Sequence, residues 1–155
     1  MTVTKHKAPE ETHMMRARTF ILTALAYLLV TFPVAYVWHL VVFQSFYDRI
    51  AYFGTKEPIV ALGFFTIAAQ GLLLAYAYPF FQRGGKALVE GIRAAGFFGG
   101  LIYSVQVVAA AAKNHAPATA EWFLFEGFYF VIQFALIGFA LAFIHGPRKG
   151  AADGV

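Results

Sequence analysis

Past residue 18 the chain is built from four long apolar runs, 19–43, 59–81, 91–112 and 121–144, separated by short polar connectors. A helix that crosses the roughly 30 Å hydrocarbon core of a bilayer needs about 20 mostly apolar residues, and each run meets that length. Stretches 21–30 and 72–77 carry no charged side chain on any face, whereas a soluble bundle helix keeps one polar side. A transmembrane strand would alternate apolar and polar residues with period two. The pattern therefore predicts an all-α, four-helix transmembrane bundle occupying residues 19–145, with polar tails at 1–18 and 146–155.

The interruptions refine this picture. Pro33 falls inside the first run and removes a backbone donor, which predicts a kink. In the first connector Phe46, Tyr47, Ile50 and Phe53 recur at helical spacing while Asp48, Arg49 and Lys56 take the opposite face. That amphipathic segment is expected to lie in the outer membrane interface, with Trp38, Tyr52 and Trp122 forming an aromatic belt at the same level. Pro58 suits the first turn of the second helix, and Gly84-Gly85 reverses the chain before the third. Helix is expected in the N-terminal tail only as a last turn near Arg16. In the third run Gly96 and Gly100 form a GxxxG pair, expected to pack inside the bundle in preference to forming a homodimer seam.

Charge supplies an orientation. Of the 12 cations, nine (Lys5, Lys7, Arg16, Arg18, Arg83, Lys86, Arg93, Arg148 and Lys149) fall in the two tails and around the second connector. Only Arg49, Lys56 and Lys113 fall on the other side. The positive-inside rule then puts both termini in the cytoplasm. A net charge of +4 spread over these flanks gives no basic patch for nucleic acid, so the bilayer is the expected partner. Without cysteine there is neither a disulfide nor a thiolate metal site.

Ionisable and amide side chains inside a bilayer are expensive, and each is a functional candidate by default. At about 1.5 Å rise per residue, His39, Gln106 and Glu126 fall about 6, 10 and 8 Å below the outer helix ends. Gln106 and Lys113 are seven residues apart, as are Glu126 and Gln133, so each pair returns to nearly one helix face. Gln70 adds an amide near the midplane. The intramembrane polarity is thus expected in the outer half, leaving the cytoplasmic half dry. His39, Gln70, Gln106, Lys113, Glu126 and Gln133 are the candidate ligand-binding residues, with Lys113 reaching toward Glu126. The plain alternative makes these amides and the carboxylate hydrogen-bond glue between helices.

Other chemistries find less support. Bis-histidine haem needs two imidazoles at matched depth, and His39 with His115 is the only pair available. A His39/His115/Glu126 metal site is chemically possible. G-x-S-x-G, P-loop and H-E-x-x-H motifs are all missing, so no catalytic residue is assigned.

The stretch Phe32-Pro33, Tyr36, Trp38-His39-Leu40, Tyr47, Gln70-Gly71 and Tyr78-Pro79 resembles an uncharacterised bacterial family of small four-span membrane proteins. Ala111-Ala112-Lys113-Asn114, Phe123-Leu124, Glu126 and Gln133-Phe134 extend the resemblance over about residues 20–145. It implies a bacterial inner-membrane protein complete as a unit, and brings no activity with it. The expected function is a small non-enzymatic membrane protein, packing with partners as a homo-oligomer or in a larger complex, or binding a small ligand. A proton- or cation-coupled carrier using Glu126 is the first alternative, and a haem or quinone redox module using His39 the second.

Overall fold

A computed structural model describes residues 9–52, 59–113 and 119–146. Among these there is no strand, and four helical stretches are long and apolar enough to span a membrane: Arg16–Val42, Val60–Phe81, Ala87–Ala112 and Ala120–His145. They match the four apolar runs to within a few residues. Large side chains such as Leu29, Phe65 and Phe143 point outward, as they do on a lipid-facing wall where packing is not driven by water.

The first spanning stretch consists of α1 (Pro9–Val37) and a π-helical turn, Trp38–Val42. Helix therefore begins at Pro9, well inside the stretch expected to be an irregular tail; proline is compatible with a first turn because its missing N–H would be unpaired there. The helix runs unbroken through Pro33. A short helix, α2 (Gln44–Arg49), comes next. The second span is α3 (Val60–Ala77), closed by a 3-10 turn at Tyr78–Phe81 that contains Pro79. The third is α4 (Ala87–Tyr103), a second π turn at Ser104–Val108, and α5 (Ala109–Lys113). The fourth is α6 (Ala120–His145), whose first turn is capped by the Thr119 hydroxyl accepting from the Trp122 N–H.

The helices are arranged as an open ring. α3 packs on α1, α1 on α6, and α6 most extensively on α4, while α3 and α4 approach each other chiefly at the 3-10 turn. Small residues set the α4–α6 contact: a Cβ added to Gly91 would lie 2.5 Å from the Gly138 carbonyl oxygen, and one on Gly99 would lie 2.8 Å from the Phe134 ring. Gly96 and Gly100 face outward, with nothing within 4 Å of an added Cβ. The inward-packing expectation for that pair is thus corrected by one helical register step, since Gly91, Ala94, Ala95 and Gly99 occupy the buried face.

The amphipathic connector is present as the short helix α2, with its apolar face turned to protein. Phe46 and Tyr47 are buried, and the Phe46 ring stacks on Phe125 of α6 at 4.2 Å. Arg49 covers the outer face of Phe46 and pairs with Glu121 at 2.8 Å. The apolar face of α2 therefore closes one end of the bundle and does not lie against lipid, because aromatic side chains of α6 offer it a protein surface. Trp122 is fully buried and Trp38 is partly buried, so they serve the core and not a belt. Phe53, Lys56 and Pro58 lie outside the described residues.

Candidate functional site

Glu126 is carried on the buried face of α6 and is 2% exposed. A carboxyl group so placed needs hydrogen-bond donors, since an unpaired buried charge is strongly unfavourable. Tyr47 of α2 supplies one, donating its hydroxyl to Glu126 Oε1 at 2.9 Å. The Trp38 indole N–H in turn donates to the Tyr47 oxygen at 3.0 Å. Burial first, and the Glu126 charge second, push the Tyr47 hydroxyl well above its ordinary value, so it remains a donor. The same two causes hold Tyr52 up at about 12.

His39 completes the group. Its Nδ1 lies 2.9 Å from the Ala35 carbonyl oxygen, which can only accept, so Nδ1 carries the proton. Nε2 then faces Glu126 Oε1 at 3.6 Å. That separation is longer than a hydrogen bond, so the imidazole and the carboxyl face each other across a short gap while Tyr47 serves Glu126 as donor. The imidazole is held from its sides by the rings of Tyr47 and Tyr129, both with centroids 4.7 Å away.

The pair forms the head of a cavity of about 360 Å³. His39, Gln70, Gln106, Glu126 and Gln133 all line it, together with Thr31, Tyr52, Tyr129 and apolar side chains that include Phe32, Val60, Ile67 and Ile102. Gln106 is exposed at the rim between α3 and α4, where the ring of helices is open. Gln70 has its Oε1 engaged by the Tyr27 hydroxyl at 2.9 Å. One buried lining group is left incomplete: Gln133 Oε1 has no hydrogen-bond partner. The Thr31 hydroxyl, equally buried, lies beside Tyr27, and each residue is 3% exposed. Buried polar groups are normally paired, so Gln133 marks where a ligand would bind.

Both π turns border this cavity. In the first, the Phe43 N–H reaches back to the Trp38 carbonyl at 3.0 Å, and the turn carries His39 and Leu40. The second carries Gln106 at the rim and Val107 in the core. π turns are rare and recur at functional sites.

Lys113 is the last residue of α5; its side chain, like His115, lies outside the described part of the chain, so the expected Lys113–Glu126 contact is not among the described ones. Glu126 is instead served by Tyr47 and His39. The His39–His115 pair considered for haem falls partly outside the described residues; within them, His39 Nε2 is turned to Glu126. No group of three or more metal-binding side chains occurs among the described residues.

The opposite end of the bundle is not dry. There the Thr23 hydroxyl donates to the Thr19 carbonyl at 2.8 Å and so accepts from His145 Nε2 at 2.8 Å. Gln82 donates to His145 Nδ1 at 3.3 Å, and Tyr78 lies against the imidazole at 4.1 Å between centroids. Nearby, Glu90 Oε1 accepts from the Arg83 and Gly85 N–H groups at 2.7 and 2.8 Å and fixes the turn between α3 and α4. Every nitrogen of His145 is used, so this is a helix pin. Leu74, Ile137 and Leu141, all fully buried, stand between it and the cavity.

Tyr27, Thr31 and Tyr47 are not among the candidate ligand-binding residues that sequence reasoning picks out. Thr23, Tyr27, Thr31 and Ala35 of α1 and His39 of the turn after it succeed one another every four residues, each about one turn beyond the last on a slowly winding stripe. That spacing is the signal that reveals the α1 members. No family model, curated protein or solved structure matches the chain.

Proposed function

We propose that this protein is a non-enzymatic, multi-pass protein of a bacterial plasma membrane that binds a small neutral amphipathic ligand within the bilayer. The reading rests on one observation above the others: the unpartnered Gln133 amide oxygen facing the same cavity as the His39–Glu126 pair. Buried polar groups are normally paired, and interhelical glue gives no reason for an unpaired acceptor to border a cavity. The asymmetry of the cations favours an outward-facing cavity with both termini cytoplasmic, and the resemblance to four-span bacterial proteins favours the same membrane.

A proton-coupled carrier is the second reading, favoured by the buried Glu126 carboxyl facing His39 Nε2 at 3.6 Å in the cavity. An accessory role within an oligomer or a larger complex is compatible with either.

Native mass spectrometry of the intact protein released from membranes tests the main reading. Glu126→Gln keeps an oxygen for the Tyr47 hydroxyl but removes the carboxyl group from the cavity. A small bound molecule is expected on the wild type and lost from Glu126→Gln, at an unchanged unfolding temperature. Equal loading of both proteins, or a bare wild type, would defeat it.

A further inference from the structure

We propose that the ligand of this cavity is a ring bearing oxygen at opposite corners, a quinone or quinol headgroup whose hydrocarbon tail leaves between α3 and α4. This deepens the reading above and rests on it. Four features of the site select that chemistry.

The first is polarity. Apart from His39 and Glu126, the polar side chains lining the cavity are amides and hydroxyls, Gln70, Gln106, Gln133 and Thr31 among them, which hydrogen-bond neutral oxygens and offer no charge to an ion.

Access is the second. α3 and α4 meet chiefly at the turn Tyr78–Phe81, and the rim of the cavity includes Gly63, beside which an added Cβ would touch nothing, and the exposed Gln106. A mouth between two lipid-facing helices admits a molecule already dissolved in the bilayer.

The third is length. Glu126 and Gln133 are seven residues apart on one face of α6, a rise of about 10.5 Å. A six-membered ring with oxygens at opposite corners, extended by one hydrogen bond at each end, measures about 11 Å. One oxygen then meets His39 and Glu126, which can give or take a proton. The other meets Gln133 Oε1, buried and unpartnered, and the buried Thr31 hydroxyl. Gln133 Oε1 accepts from a quinol hydroxyl; the Thr31 hydroxyl donates to a quinone carbonyl. The pair of groups therefore serves both oxidation states.

The fourth is shape. Tyr129, Phe32, Ile67 and Ile102 line the space between those ends, giving apolar walls for a flat ring, and 360 Å³ sits at the low end of ordinary small-molecule sites.

The test uses the full chain in lipid nanodiscs, titrated with decyl-ubiquinone, decyl-ubiquinol and, as the single-oxygen comparison, 4-decylphenol. Trp38 is one hydrogen bond from Tyr47, so tryptophan quenching and calorimetry both report occupancy. Saturable 1:1 binding of the quinone or quinol is expected, weakened about tenfold or more for the quinol by Gln133→Leu and for the quinone by Thr31→Val. The decylphenol is expected to bind about tenfold or more weakly than the quinol. Equal binding of decylphenol and quinol, or quinol affinity unchanged in Gln133→Leu, overturns the headgroup assignment while leaving an amphipath site standing. No saturable binding of any of the three overturns the headgroup assignment too; a wild type that is also bare in native mass spectrometry removes the ligand reading beneath it. Glu126→Gln, which keeps the fold's hydrogen bond to Tyr47, provides a second variant should Gln133→Leu fail to fold.

Discussion

At the residue scale the most connected atom of the site is the Tyr47 hydroxyl oxygen, which accepts from Trp38 and donates to Glu126. One side chain on a six-residue helix thereby ties the end of the first span to the fourth. Tyr47→Phe would leave two buried groups short of a partner at once. The expected cost is about 1–3 kcal/mol, visible as a lower unfolding temperature in detergent, and an unaltered temperature would mean that the network adds nothing to stability. Glu126 itself was legible in the sequence, because a carboxylate within an apolar run has few innocent explanations. The role of Tyr47 was not. It sits in a connector whose pattern fits a lipid interface equally well, and its partner lies 79 residues away. No spacing rule connects such residues; only the closing of α2 over α6 does.

At the element scale, glycine separates packing from permissiveness. Gly91 and Gly96 belong to the same helix and both would be called small-residue contact positions from sequence. Gly91→Ala would press a methyl group on the backbone of α6 and should cost about 1–3 kcal/mol. Gly96→Ala meets nothing and should be neutral or stabilise by up to about 1 kcal/mol through helix propensity alone. Thermal unfolding of the two variants side by side decides whether the α4–α6 seam is as described.

The π turns belong to the same scale, and they explain why helical periodicity located the lining residues only approximately. Each inserts a residue into the i→i+4 pattern and shifts the phase of the helix beyond it. Deleting Val105, which is exposed, would remove the extra residue and let the span close as regular α-helix, without the bulge that carries Gln106 to the rim. Far-UV circular dichroism should then remain helical while ligand affinity falls. Retained affinity would show that the turn at Ser104–Val108 is incidental to the cavity.

On the scale of the whole molecule, four spans and their limits were legible from run length, since the bilayer's thickness sets a minimum that few other structures satisfy. The order of helices around the ring was legible only for the neighbours α4 and α6. That α3 rests on α1 and stands apart from α4 depends on side-chain fit, which hydropathy does not encode. The polar cluster at the far end was missed for a related reason: Thr23 and His145 look unremarkable singly and become a pin only when helices one and four lie side by side.

The plug of Leu74, Ile137 and Leu141 has an electrical consequence. An apolar, fully packed layer is where a transmembrane voltage drops, at about 2.3 kcal/mol per elementary charge per 100 mV. His39 and Glu126 lie to one side of that layer, and Thr23 and His145 lie to the other. Proteoliposomes loaded with a pH-sensitive dye should hold an imposed proton gradient as long as empty vesicles do; a faster decay would mean that the layer conducts. A cell could therefore keep many copies of this protein in an energised membrane without dissipating the proton gradient across it.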